Sequence, residues 1–116
     1  MQKLTNSQLN YMLCIRALHG EQTVRVTDIS REIGLSMPSV HHMLGTLEAM
    51  GLVEKHRHAV YLTKRGRETL AWYDRAVAAA EALLGSVGLT DCREDALAMV
   101  TALSDTAVDK LIEHMM

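Results

Sequence analysis

Apolar side chains recur at helical spacing from the start of the chain. Leu9, Leu13 and Ala17, flanked by Met12 and Ile15, make one stripe. Thr5 with Gln8 forms a capping box ahead of it, Leu4 with Leu9 a hydrophobic staple, and Gly20 a natural stop. Val24-Arg25-Val26 alternates and predicts a short strand or extended connector. Thr27 then caps a short helix whose inward positions are Ile29 and Ile33, ended at Gly34. Leu35 fills a turn. Ser36 caps a third helix, with Pro38 in its first turn, where a missing N–H costs nothing. Val40, Leu44 and Leu47 form the buried stripe of that helix, joined by Met43 and Met50; Gly51 ends it and Leu52 makes a hydrophobic contact beyond. Leu52 to Lys55 and Ala59 to Thr63 are β-prone runs around the polar turn His56-Arg57-His58, a hairpin. Thr63 caps a long helix through Leu70, Tyr73, Val77 and Leu84 that ends near residues 85–88. Asp91 and Glu94 make a second capping box opening a helix to about Leu103, and Ser104 caps a last helix carrying Val108, Leu111, Ile112 and Met115.

The order helix, helix, helix, hairpin is that of a winged helix-turn-helix. The expected fold is therefore mostly α: a winged helix-turn-helix (three helices plus a β-hairpin wing) over residues 1–70, then an α-helical dimerisation region over residues 71–116. The second helix of such a motif enters the major groove with its N-terminal residues at base edges. Here those residues are Ser36, Met37, Pro38, Ser39, His41 and His42. Lys55 and Arg57 lie on the wing, and Arg25, Thr27 and Arg31 complete the expected DNA-contacting set, with Lys64, Arg65 and Arg67 as further phosphate contacts. The stretch Ser36 to Met50 contains no Lys or Arg. Since phosphate neutralisation supplies most non-specific affinity, modest binding or reliance on dimer avidity is expected.

Charge sharpens the division. The chain of 116 residues carries a net charge of −2, but residues 1–70 hold nine Lys/Arg against six acids, and residues 71–116 three against eight. A basic part faces DNA and an acidic part faces elsewhere. Phe is absent and aromatics make up 3%, so the core is built from Leu, Val, Ile, Met and Ala, a helix-favouring set. Two distant cysteines, Cys14 and Cys92, form no disulfide framework. No signal peptide or membrane-length apolar run is present, so a cytoplasmic protein is expected. No glycine-rich phosphate loop, nucleophile elbow or His-Glu-x-x-His zinc helix appears, so no enzyme is expected. His41 and His42 point about 100° apart on a helix and are poor joint metal ligands. His56 and His58 share a face of the hairpin but lack a third ligand. Trp72 and Tyr73 read as core or subunit interface, and Ala76, Ala78, Ala79 and Ala80 as a close-packing surface.

The stretch Val26-Thr27-Asp28-Ile29-Ser30 through Gly34-Leu35-Ser36-Met37-Pro38-Ser39-Val40, then Leu47 to Val53, and Leu62-Thr63 with Gly66, resembles the diphtheria-toxin-repressor (DtxR) family of iron- and manganese-dependent regulators. Gly88-Leu89, Glu94-Asp95-Ala96 and Ser104-Asp105 extend the resemblance over nearly the whole chain, in the short form without an SH3-like domain. It implies a homodimer, joined by the helices after the wing, on a palindromic operator in double-stranded DNA, with manganese or iron(II) as cofactor. It also implies metal ligands at Asn10, Leu13, Val77, Glu81, Leu97, Val100 and Thr101, where only Glu81 keeps a ligand type; apolar side chains coordinate no transition metal. The expectation is a regulator, by default a repressor, with no metal-ligating residues and without the family's metal switch. Two alternatives stand beside it: an iron- or manganese-dependent repressor with a rearranged site, and a winged-helix protein-interaction module that binds no DNA.

Overall fold

A computed structural model describes residues 3–20 and 22–116; residues 1, 2 and 21, within the region 1–70, lie outside the described residues. The chain runs α1 (Asn6–Leu18), β1 (Val24–Arg25), α2 (Val26–Ile33), α3 (Met37–Ala49), β2 (Val53–His56), β3 (Ala59–Leu62), α4 (Lys64–Ser86), α5 (Arg93–Ala102) and α6 (Asp105–Met115). This is a mostly helical winged helix-turn-helix followed by helices, as the apolar periodicity predicts. It divides into two compact units, Ser7–Leu70 and the segment up to Asn6 with Ala71–Met116.

In the Ser7–Leu70 unit the three strands form one antiparallel sheet in the order β1-β3-β2. Val53 pairs with Leu62 and His56 with Ala59, so His56 belongs to β2 and the wing turn is the two residues Arg57 and His58, one shorter than expected. Arg57 takes φ 58°, a region costly for a side chain larger than glycine's. β1 joins the other edge of β3, with Val24 opposite Val60. Leu9, Met12, Ile15, Ile29, Val40, Leu44, Leu47, Leu52 and Val60 are all essentially inaccessible. Each such side chain contributes about 1.5–3 kcal/mol relative to exposure, and Tyr11 of α1 is buried as well.

The caps explain how α2 and α3 are set against each other. Helix α2 starts two residues earlier than a Thr27 cap implies, at Val26, whose amide donates to the His58 carbonyl oxygen (3.2 Å). Thr27 is therefore inside the helix and not its cap. The Arg25 amide donates instead to the Asp28 carboxylate (2.9 Å), the reciprocal half of a capping box. Gly34 ends α2 with φ 79°, a conformation that glycine alone adopts without penalty. Ser30 Oγ donates to the Leu35 carbonyl (2.5 Å) across the turn. Ser36 caps α3 as expected, its Oγ accepting from the Ser39 amide (3.4 Å).

Helix α4 is capped by Thr63, whose Oγ1 accepts from the Gly66 amide (3.0 Å) and donates to the Gly51 carbonyl (2.6 Å). Gly66 presses on the chain before the wing: a Cβ there would collide with the Leu52 carbonyl oxygen. In the other unit, Trp72 and Tyr73 are core residues in T-shaped contact (centroids 4.9 Å apart). The Leu4 amide donates to Tyr73 Oη (2.8 Å), and Trp72 Nε1 donates to Asp109 (3.3 Å). Burial pushes the Tyr73 phenol up, the Leu4 bond opposes this, and Asp105 adds to it. Ala76, Ala79 and Ala80 are buried while Ala78 is exposed. The expected Asp91 cap is displaced: Asp91 takes φ 51°, and Cys92 occupies the cap position with no side-chain cap bond. Its buried thiol lies 3.9 Å from the Glu81 carbonyl oxygen. Ser104 caps α6 as expected, accepting from the Ala107 amide (3.2 Å).

Candidate nucleic-acid interface

The buried stripe Val40, Leu44 and Leu47 fixes which way α3 faces. With about 100° between successive residues, the opposite side carries Pro38, His42, Gly45 and Ala49, with Ser39 and His41 on its flanks. All six are exposed or half-exposed. Ser36 Oγ and Ser39 Oγ are hydrogen-bonded to each other (3.0 Å) at the N-terminal end of the helix. Met37 lines the groove described next.

An open groove of about 560 Å³ separates the wing tip, His56, Arg57 and His58, from the start of α2 and α3, where Arg25, Thr27 and Met37 line it. A polar depression of about 480 Å³ adjoins it, sharing Thr23, Arg25 and Thr27 and adding Gln22, Asp28 and Arg31. Of the expected DNA-contacting residues, Arg25, Thr27, Arg31, Met37 and Arg57 thus gather around two connected hollows. Ser36, Pro38, Ser39, His41 and His42 stand on the adjacent outer side of α3. Arg31 lies 3.7 Å from Asp28 and remains largely exposed.

Lys55 ties the wing to α3. Its amide donates to Glu48 (3.3 Å), and its Nζ lies 3.3 Å from His41 Nδ1. Neither link is visible as a sequence pattern, because the partners are 7 and 14 residues apart on different elements. His58 and Gln22 also line the hollows without a prior motif to mark them. Asp28 carried no such signal either, because its N-cap partner is Arg25 and not the Ser or Thr of a capping-box pattern. Lys64 and Arg67 are engaged locally: Lys64 lies 3.8 Å from Glu68, and Arg67 donates to the Leu62 carbonyl (3.0 Å). His56 packs edge-on to Tyr61 and lies 3.7 Å from Glu54.

The positions where the family resemblance would put metal do not fit a transition-metal ion. Val77, Leu97 and Val100 are buried hydrocarbon. The Thr101 hydroxyl lies 3.0 Å from the carbonyl oxygens of Leu97 and Ala98, and Glu81 pairs with Arg93 (3.8 Å). Asn10 and Leu13 stand on α1. Among the described residues no three His, Cys, Asp or Glu side chains come together as a metal would require. Cys14 is half-buried, and burial, then the Glu32 charge, push its thiol up, away from the reactive thiolate.

Residues 15–57 match the IclR helix-turn-helix domain, the part of the chain that builds α2, the turn, α3 and β2. No curated protein matches the chain in sequence. Among solved structures, a hypothetical protein from Sulfolobus solfataricus superposes with TM-score 0.78 at 22% identity, covering 96% of this chain and 88% of that one. The metal-dependent transcriptional regulator MtsR superposes with TM-score 0.78 at 20% identity, covering 96% of this chain and 54% of its own. ScaR with bound Zn²⁺ gives 0.78 at 25%, covering 92% and 52%. The chain thus spans about half the length of the metalloregulators it resembles, and the likeness to them is one of fold. The matched motif is a DNA-binding one: residues 15–57 carry a helix-turn-helix domain. Among the described residues no helix is long and apolar enough to cross a membrane.

Proposed function

We propose that the protein is a homodimeric, cytoplasmic transcriptional repressor that binds a palindromic operator through residues 1–70, dimerises through residues 71–116, and responds to no manganese or iron(II). The observation that carries the DNA-reading part is the gathering of Arg25, Thr27, Arg31, Met37 and Arg57 around the hollows beside the outer face of α3. A duplex lying on that face presents phosphates to Arg25, Arg31, Lys55 and Arg57, and base edges to Ser36, Pro38, Ser39, His41 and His42. Repression follows from operator occupancy. Dimerisation is supported by apolar surface on the second unit: Val87, Leu89 and Met116 are exposed, and Leu111, Ile112 and Met115 half-exposed. Loss of the metal switch is supported by the hydrocarbon at Val77, Leu97 and Val100, which offers a divalent cation no donor at those three positions.

The test is fluorescence anisotropy on the duplex upstream of the protein's own gene, with manganese or iron(II) and again with chelator, alongside sedimentation of the free protein. Salt-sensitive binding that ignores chelator, by a sedimenting dimer, is expected. Binding only with metal would sink the lost-switch reading. Absence of binding to that duplex and to random genomic fragments would put the protein-interaction reading in its place.

A further inference from the structure

We propose that Lys55 locks the His41 imidazole in its Nε2–H tautomer, making His41 an obligate hydrogen-bond donor that reads the acceptor edge of a purine, guanine above all. This rests on the DNA-reading role given above. An ammonium group has three donors and no acceptor. Its approach to within 3.3 Å of His41 Nδ1 requires that nitrogen to hold a lone pair, so the proton of the neutral ring sits on Nε2. Nε2 has no partner among the described residues, and the side chain is exposed on the flank of α3 nearest the wing. Lys55 is itself held: it is half-buried, its amide bonded to Glu48, which stands two helical turns beyond His41 on the same side of α3. The ammonium is thereby directed at the imidazole by the strand that carries it.

An unconstrained neutral imidazole exchanges its proton between two nitrogens and presents a donor or an acceptor as the partner requires, so it discriminates poorly. A fixed tautomer removes that choice. In the major groove guanine offers two adjacent acceptors, O6 and N7; adenine offers N7 beside a donor, and cytosine offers a donor. An Nε2–H therefore favours guanine and rejects cytosine. Arginine usually makes that contact, and Ser36 to Met50 contains none. Lys55 is a positioning residue here, His41 the reader. His42, on the outermost line of α3, has no cation at its ring among the described residues.

Two measurements on the full chain test this. In the DNA-free protein, ¹H–¹⁵N imidazole spectra are expected to show His41 protonated on Nε2 alone, and Lys55→Met to spread it over both tautomers while Lys55→Arg restores one. Operators are then selected from a random duplex pool. At the guanine that His41 specifies, 7-deazaguanine is expected to weaken the wild type roughly three- to tenfold, the worth of one hydrogen bond. His41→Gln, whose amide sets an acceptor beside its N–H, should turn the preference from guanine toward adenine. His41→Leu should lose it and ignore the deaza substitution. A His41→Leu protein that selects the same base at every position as the wild type overturns the inference alone, as does an imidazole protonated on Nδ1. A wild type that enriches no sequence from the pool overturns the DNA-reading function and this inference with it.

Discussion

Gly66 and Gly45 offer the same substitution with opposite consequences. At Gly66 a methyl group would collide with the Leu52 carbonyl oxygen and come within 3.1 Å of its carbonyl carbon. That oxygen also accepts from the Thr63 amide (3.1 Å), and the neighbouring Gly51 carbonyl accepts from the Thr63 hydroxyl (2.6 Å). Both sides of the contact are backbone, so neither can rotate away. Gly66→Ala must pry α4 from the chain entering the wing. Overpacking costs about 1–3 kcal/mol. Losing one of the two hydrogen bonds costs about 1 kcal/mol more. The better helix propensity of alanine returns about 1 kcal/mol. A net loss of about 2 kcal/mol, at an m-value of about 2 kcal/mol/M, lowers the urea midpoint by about 1 M. Gly45 lies on the outer side of α3, where an added methyl group would meet nothing within 4 Å. Gly45→Ala should gain about 1 kcal/mol and raise the midpoint by about 0.5 M. Circular dichroism during urea titration of both variants reads this directly. A Gly66→Ala midpoint at or above the wild type would refute the account of that corner.

Arg57→Gly removes a side chain from φ 58°, so unfolding should show equal or slightly greater stability, while DNA affinity falls and the slope of log affinity against log salt decreases by about 1. Ser36→Ala deletes the α3 cap and should cost about 1 kcal/mol in chemical denaturation. Tyr73→Phe leaves the Leu4 amide without its acceptor and should cost about 1–2 kcal/mol at neutral pH. The Tyr73 phenol is raised above its ordinary 10.0, first by burial, so its contribution is intact below that value and lost as pH climbs through the higher folded one. Denaturation midpoints of the wild type should therefore drop at strongly alkaline pH, and those of Tyr73→Phe should drop less.

Elements carried by short-range chemistry were legible. Val40, Leu44 and Leu47 announce α3, and Ser36, Thr63 and Ser104 announce the starts of three helices, because a capping hydroxyl and a 3.6-residue period act within a few residues. The misplaced starts have physical reasons. Thr27 has a capping side chain, but the Val26 amide is taken by the His58 carbonyl across the sheet, which draws α2 back two residues. Asp91 has the right side chain too, but its backbone turns into the left-handed region and passes the cap position to Cys92. Leu4 reads as a local staple, yet its amide is bonded 69 residues away at Tyr73. The exposed face of α3 follows from its apolar stripe alone, whereas the Lys55–His41 link depends on wing register, which no local pattern encodes.

The absence of cationic side chains on the outer line of α3, Pro38, His42, Gly45 and Ala49, bears on how such a protein would find its site in a genome. Bulk DNA offers on the order of 10⁶–10⁹ decoy positions, and a reader rich in arginine spends most of its time on them. A recognition helix that adds no cation of its own to the phosphate contacts of its flanks leaves more molecules unsequestered at a given copy number. On the proposed function, occupancy of an operator would then track the amount of protein closely, and small changes in its synthesis or turnover would become the signal.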